Sequence, residues 1–142
     1  IELSAVYQDI YPDSKFVIET PSDSVMINGS AELLVQMLDK LLSNAVDFHN
    51  QGSEIQIKLE CGITDCQLKV KNWGQALPVA FESQIFQPMV SDRESMSDKS
   101  QPHLGLGLYI AKLISDKHGG QLSAENWLHG VEFSVELPIV KV

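Results

Sequence analysis

The feature that most constrains the fold is an amphipathic stretch from Ala31 to about His49, the longest helical pattern in the chain. Its apolar residues recur every three or four positions, which predicts an α-helix with one broad buried face. Ser30 is the expected N-cap, and Asn50-Gln51-Gly52 is the expected end of the helix. The apolar residues of this face are Leu34, Met37, Leu38, Leu41, Leu42, Ala45 and Phe48.

Several segments alternate polar and apolar residues, which predicts β-strands, and a sheet of these strands would cover the apolar face of the helix. A second long helix is expected from Leu104 to His118, with Leu106, Ile110, Leu113 and Ile114 on one face, and a short one over residues 1–11. This order predicts a single α+β domain, with helices on one face of a mainly antiparallel sheet. The predicted strands are Lys15–Glu19, Val25–Ile27, Glu54–Cys61, Cys66–Lys71, Gln121–Glu125 and Val131–Leu137.

The net charge of the chain limits the kinds of partner that it can bind. Ten basic residues against nineteen acidic ones give a net charge of −9, which argues against a nucleic-acid or anionic-membrane surface. Phosphate groups would then be held by backbone amides and a metal ion. The sequence has no membrane-spanning apolar stretch and no signal peptide, and it begins at Ile1 without a methionine. We expect a cytoplasmic part of a longer protein.

The two cysteines, Cys61 and Cys66, match neither a zinc nor a thioredoxin-like spacing. They are expected to face each other across a hairpin as reduced thiols, with an oxidised cross-strand pair as the alternative. Residues 91–102 hold one apolar side chain, Met96, and cannot bury enough surface to offset the entropy of ordering. This segment is expected to be mobile and to act as a lid.

Asn44 is the first candidate site residue, because an amide on a strongly apolar helix must find partners. It either bonds to a nearby loop at the edge of the buried stripe or ligates Mg²⁺ through its side-chain oxygen. Lys40 and Asp47 share its face of the helix at spacings of four and three.

Two glycine-containing turns are the other candidates. Gly105 and Gly107 start a helix after the polar segment, where bare backbone either approaches phosphate or serves as a hinge and packing point. Asn72 and Gly74 end a strand, where the amide either meets a base edge or belongs to an ordinary turn. The sequence lacks a P-loop, a nucleophile elbow and a histidine metal spacing.

Together these elements resemble the catalytic and ATP-binding domain of sensor histidine kinases, in the gyrase and chaperone ATPase superfamily. Leu41–Ala45 resembles the N box, Asn72–Pro78 the first glycine box, Ile85–Met89 the F box and Gly105–Ile110 the second glycine box. The resemblance covers nearly the whole chain. It implies a Bergerat fold, a two-layer α/β sandwich with a mixed sheet of about five strands, about three helices and an ATP lid over about 87–104.

More narrowly, three short stretches are similar to sensor kinases of proteobacterial dedicated sortase systems. They are Leu38-Asp39-Lys40-Leu41, Met89-Val90-Ser91 and His103-Leu104-Gly105-Leu106-Gly107.

The resemblance implies ATP and Mg²⁺ as ligands, with Asn44 as the Mg²⁺ ligand. It names no catalytic residue beyond Arg93, the only arginine of the lid, which either contacts the γ-phosphate or is a solvated charge. No histidine here is followed by an acidic residue, so the phosphoacceptor is expected upstream, on a separate dimerisation domain. The implied nucleotide-binding residues are Asn44, Asp47, Phe48, Asn72, Gly74, Leu77, Phe86, His103, Leu104, Gly105, Leu106, Gly107 and Leu108.

The resemblance further implies a response regulator receiver domain as partner, and a full-length membrane-anchored homodimer in the inner membrane. Asp47, Asn72, Ala76 and His103 depart from the family pattern, and Lys40 stands where hydrolysing relatives carry a glutamate base. Two rival functions follow. One is a degenerate module that binds nucleotide weakly or not at all and acts through protein contacts, and the other is an ATP-hydrolysing or serine-kinase relative.

Overall fold

The computed structural model describes residues 3–21, 25–50, 52–77 and 106–140. Within these ranges the chain forms three helices and five strands. In chain order they are α1 (Leu3–Ile10), β1 (Lys15–Glu19), α2 (Ala31–Phe48), β2 (Glu54–Cys61), β3 (Asp65–Trp73), α3 (Leu106–Lys117), β4 (Gln121–Trp127) and β5 (Gly130–Pro138).

The five strands form one mixed sheet in the order β1-β2-β3-β5-β4. β1 runs parallel to β2, and the other three pairings are antiparallel. The strand predicted at Val25–Ile27 is wrong: the segment lies outside the sheet, and Met26 contributes one hydrogen bond, accepting at its carbonyl from Val140 N at 2.8 Å. A run of three β-type residues beside turn residues is too short to pair along its length.

Side chains alternate along each strand between the face of the sheet that meets the helices and the face that points outward. Ile55 and Ile57 of β2, Val70 of β3 and Phe133 of β5 are buried and form the core with α2 and α3. Each such side chain contributes about 1.5–3 kcal/mol on burial. The α+β sandwich predicted from the two periodicities is confirmed.

Helix α2 begins and ends as its sequence predicts. Ser30 Oγ accepts a hydrogen bond from Leu33 N at 3.2 Å, and the His49 N–H closes the last turn on Ala45 O at 2.9 Å. The His118 ring ties this start to the end of α3, because its Nε2 accepts from Ser30 N at 3.1 Å. Its Nδ1, the protonated nitrogen in that tautomer, lies 2.7 Å from Ile114 O. The two helices are therefore held together by a partly buried hydrogen bond as well as by packing.

The predicted face of α3 is partly wrong. Leu106 and Leu113 are 61% and 49% exposed, whereas Leu108 and Ala111 are fully buried and Ile114 is buried with them. Leu108 and Ala111 pack in the core with α2 and the sheet. Apolar residues on both sides of α3 hid this buried face from the sequence pattern. Within the described ranges, none of the helices is long and apolar enough to cross a membrane.

Cys61 and Cys66 stand directly opposite each other in the β2–β3 register and are joined by a disulfide. The expectation of reduced thiols is therefore wrong, and the oxidised alternative holds. The bond closes the hairpin next to its turn, where Gly62 N donates to Asp65 O at 2.8 Å.

Candidate functional site

Asn44 occupies the buried face of α2, with 6% of its surface exposed. Its Nδ2 donates to Lys40 O at 2.9 Å, one turn earlier in the helix. Its Oδ1 has no hydrogen-bond partner among the described residues. The amide is thus held at one end, and a buried carbonyl oxygen is presented at the other.

Asn72 lies at the end of β3 on the helix-facing layer, fully buried between Ile55 and Val131 of the neighbouring strands. Neither its Oδ1 nor its Nδ2 has a hydrogen-bond partner in the part of the chain that the structure describes. Its main-chain carbonyl accepts from Trp127 Nε1 at 3.1 Å, which anchors the strand end from the outward side. A buried unpaired amide costs about 1–3 kcal/mol, so a ligand that pairs with it gains that free energy back.

Gly74 brings the two amides together. It pairs with His49 in an isolated antiparallel bridge, and its N–H donates to His129 O at 2.9 Å. A Cβ here would overlap the Phe48 carbonyl oxygen, so only glycine permits this approach. Phe48 is one helical turn beyond Asn44, and Gly74 is two strand positions beyond Asn72. The Asn44 and Asn72 amides therefore each lie about 5–7 Å along the chain from the contact between Phe48 and Gly74.

The start of α3 adjoins the same place. A Cβ built on Gly107 would lie 3.6 Å from Asn44 Nδ2 and 3.7 Å from Lys40 Cδ. The first turn of α3, whose N–H groups have no partner within the helix, is therefore next to the Asn44 amide. Leu108 beside it is fully buried, and Leu106 is exposed.

Leu77 closes one wall of the site. Its side chain is buried, its N–H donates to Asn126 Oδ1 at 2.8 Å, and its carbonyl accepts from Asn126 Nδ2 at 3.0 Å. Sequence reasoning singled out neither Asn126 nor Trp127. A lone asparagine or tryptophan near a strand end has no spacing that indicates which loop it will meet.

The structure thus brings together Asn44, Phe48, Asn72, Gly74 and Gly107, with Leu77 and Leu108 buried in the surrounding core. Asp47 is exposed on α2. Within the described residues, no group of three or more histidine, cysteine, aspartate or glutamate side chains is placed to hold a metal ion. Some of the predicted site residues lie outside the described residues, namely Phe86, Arg93, His103, Leu104 and Gly105, and so does the predicted lid over 87–104.

Comparisons with known proteins identify the family and the fold. Residues 29–141 match the family model described as histidine kinase-, DNA gyrase B-, and HSP90-like ATPase. The chain is 31% identical over 116 residues to the sensor protein KdpD of Clostridium acetobutylicum, an alignment of 82% of this chain and 13% of that protein. It is 30% identical over 128 residues to the probable sensor histidine kinase TcrY of Mycobacterium tuberculosis, covering 90% of this chain and 27% of that protein.

Solved structures share the fold. The nucleotide-free catalytic domain of histidine kinase ThkA superposes with a TM-score of 0.81 at 26% identity, covering 96% of this chain and 89% of that one. ThkA in complex with the response regulator TrrA gives 0.78 at 26% identity, covering 98% of this chain and 39% of that one. The chain spans about a quarter or less of the two curated relatives named above. It belongs to the family of histidine kinase-, DNA gyrase B- and HSP90-like ATPases.

Proposed function

We propose that this chain is the ATP·Mg²⁺-binding catalytic domain of a two-component sensor histidine kinase, which transfers the γ-phosphoryl group to a histidine on a separate upstream dimerisation domain. Family membership supports the nucleotide. The observation that carries the proposal is the pair of buried, incompletely paired carboxamides of Asn44 and Asn72, which flank the Phe48–Gly74 contact. Buried polar atoms without partners are rare in folded proteins, and two such amides beside one contact suit a polar ligand that pairs with both.

Asn44 is assigned to Mg²⁺. Its Nδ2 is engaged by Lys40 O, so the Oδ1 is the end left for a ligand. Side-chain amide oxygens are hard donors that suit Mg²⁺, which keeps several waters and binds substrate phosphates as well. The bound ion supplies charge neutralisation of the phosphates. One side-chain oxygen is enough in such a site, because the nucleotide provides further ligands.

The phosphates are assigned to the start of α3. Gly107 lies beside the Nδ2 end of the Asn44 amide, so the start of α3 is next to the residue assigned to Mg²⁺, and the N–H groups of a helix start suit phosphate. His103, Leu104 and Gly105 are expected to extend the same backbone. Backbone donors fit a protein of net charge −9, which has no basic field to attract a polyanion.

The base is assigned to the end of β3, where Asn72 faces the core and Gly74 allows the strand end to meet α2. Leu77 and Phe48 supply apolar surface beside it, and Phe86 and Leu104 are expected to add to it. Catalysis would consist of positioning and charge neutralisation, as is general for phosphoryl transfer. A charged Lys40 cannot activate water as a base, so we expect no steady ATP hydrolysis.

The acceptor histidine is proposed to lie outside this chain. His49 is hydrogen-bonded to Ser14 Oγ at 3.1 Å, and His118 is buried between Ser30 and Ile114. The full-length protein would be a membrane-anchored homodimer that passes the phosphoryl group to a response regulator receiver domain. The complex of the related ThkA with a response regulator supports this partner class.

The test is nucleotide binding by Asn44→Ala, measured by calorimetry with ATP and Mg²⁺. We expect Mg²⁺-dependent binding to be lost while the far-ultraviolet circular dichroism stays unchanged. Asn28→Ala is the matched control, because Asn28 is exposed before the start of α2 and should bind like the wild type. Undiminished binding by Asn44→Ala would contradict the assignment.

The same titration distinguishes the rival function. Asp47, Asn72, Ala76 and His103 are substitutions that favour a degenerate module acting through protein contacts. Absence of binding heat for the wild type at millimolar ATP and Mg²⁺ would support that rival. Steady phosphate release would support the hydrolysing alternative.

A further inference from the structure

The unusual property of Asn72 is that its side chain is unpaired at both ends. It is fully buried, and neither its donor nor its acceptor has a partner among the described residues. Its main chain is fixed by pairing with β2 and β5 and by the Trp127 indole, so the side chain is held on the helix-facing side of the sheet. The position of the side chain is fixed, and no hydrogen bond within the described residues determines which way its amide faces.

The other two amides near the site contrast with it. Asn44 has its Nδ2 fixed by Lys40 O, and Asn126 is paired at both ends with Leu77. In each of these the neighbours determine which end is nitrogen and which is oxygen. Asn72 has no such constraint from the described chain, so its amide can turn over by about 180° at its terminal torsion, where the rotamer preference is broad and two-fold.

A carboxamide recognises a ligand edge that carries a donor next to an acceptor. Adenine presents an amino donor at N6 beside an acceptor at N1, and guanine presents an acceptor at O6 beside a donor at N1. Asn72 matches the first edge in one orientation and the second after the amide turns over. An ionised carboxylate at this position only accepts. At the edge formed by O6 and N1–H it would leave guanine O6 facing an acceptor, and it pairs fully with guanine only through N1–H and the 2-amino group.

We propose that Asn72 is a specificity-determining residue that makes the site accept guanine as well as adenine nucleotides. This inference rests on the proposed function, in which the end of β3 holds the base. It concerns the chemistry of one buried amide and is independent of which group receives the phosphate.

The test compares Mg·ATP, Mg·GTP and Mg·ITP by calorimetry with the wild-type chain and with Asn72→Asp. We expect the three wild-type dissociation constants to agree within tenfold. In Asn72→Asp we expect the ratio of the ITP to the ATP dissociation constant to rise at least tenfold, because the carboxylate repels O6 and still accepts from N6. The comparison uses ITP because inosine lacks the 2-amino group, which in guanine would donate to a carboxylate together with N1–H. Asn28→Asp is the control for added charge, because it lies at an exposed position away from the strand end.

Inosine triphosphate keeps the wild-type measurement decisive if Asn72→Asp does not fold. Its base has the O6 and N1–H edge of guanine without the 2-amino group. If GTP binds weakly only because the 2-amino group is crowded, ITP will still bind, and the comparison of ITP with GTP shows this. Wild-type binding of ATP more than tenfold tighter than of both GTP and ITP overturns the inference and leaves the proposed function standing. An unchanged ITP-to-ATP ratio in folded Asn72→Asp also overturns it. Failure of all three nucleotides to bind overturns the proposed function itself.

Discussion

At the scale of single residues, Gly74 determines how closely β3 approaches α2. A Cβ at this position would overlap the Phe48 carbonyl oxygen and lie 3.0 Å from His49 Cα, both main-chain atoms that cannot turn aside. We predict that Gly74→Ala lowers the free energy of unfolding by about 1–3 kcal/mol, as overpacking does elsewhere. It should also weaken nucleotide binding, because the strand end with Asn72 moves away from Asn44. Urea unfolding and calorimetry measure the two effects.

The control for Gly74→Ala is Gly62→Ala in the β2–β3 turn. A Cβ on Gly62 would meet Asp65 O at 3.6 Å, which is an ordinary contact. We expect this variant to keep its stability within about 0.5 kcal/mol, as surface substitutions commonly do. Equal stability of the two variants would show that the Phe48–Gly74 approach is looser than the geometry described above.

Residue types and their local spacing predicted one part of the site and missed another. Asn44 stood out because an amide on an apolar helix face is conspicuous, and Gly107 because glycine is rare at such a position. Asn126 and Trp127 were missed, because their partners Leu77 and Asn72 lie 49 and 55 positions away in the sequence. Contacts of that range depend on which strands become neighbours, which local chemistry does not encode.

At the scale of elements, the β2–β3 hairpin is closed by the Cys61–Cys66 disulfide. The linked residues are five positions apart, so the chain-entropy relation gives a stabilisation of about 2 kcal/mol. We predict that dithiothreitol lowers the free energy of unfolding by up to that amount. Nucleotide affinity should stay the same, because Asn72 lies at the other end of β3, roughly 20 Å from Cys66 at the usual rise per residue.

The paired measurement uses the double variant Cys61→Ser, Cys66→Ser. Dithiothreitol should leave its unfolding unchanged, which separates loss of the bond from other effects of the reagent. Mass spectrometry after alkylation counts the thiols of the wild type. Two alkylated cysteines in the untreated protein would contradict the bond.

The spacing of apolar residues predicted which segments are helices and strands better than it predicted which face of each helix is buried. Helix α2 and strands β2 and β3 follow clean patterns, and their predicted bounds agree with the structure to within a few residues. Helix α3 has apolar residues around most of its circumference, so the pattern did not determine which side of the helix is buried. Burial against α2 selects Leu108 and Ala111 and leaves Leu106 and Leu113 to solvent.

At the scale of the whole molecule, the sequence predicted two layers but could not give the order of the strands. The two hairpins, β2–β3 and β4–β5, are local and follow from their turns. The pairing of β3 with β5 and the parallel pairing of β1 with β2 join segments separated by a helix or more. These long-range pairings place the end of β3 beside the end of α2, and the candidate site depends on them.

Stability of the whole molecule should respond to alkaline pH through Tyr7. This side chain is 4% exposed in the core, 6.4 Å from Phe16 between ring centroids. Burial raises the pKa of Tyr7 from 10.0 to about 12, and the negative charge of Asp39 and then Tyr11 add to the shift. Below pH 10 the phenol is neutral in both the folded and the unfolded chain, so its contribution to stability is complete there.

Between pH 10 and 12 the unfolded chain loses this proton first, and stability falls as pH rises. We predict that the wild type loses about 1 kcal/mol more than Tyr7→Phe between pH 8 and pH 11, since one pKa unit corresponds to about 1.4 kcal/mol. Phenylalanine keeps the buried ring and removes the ionising group, so titration of every other residue cancels in the difference. Urea unfolding of both chains across this range measures it. Parallel loss of stability in the two chains would mean that the Tyr7 hydroxyl reaches solvent in the folded protein, and that α1 does not cover the core as its packing on Phe16 indicates.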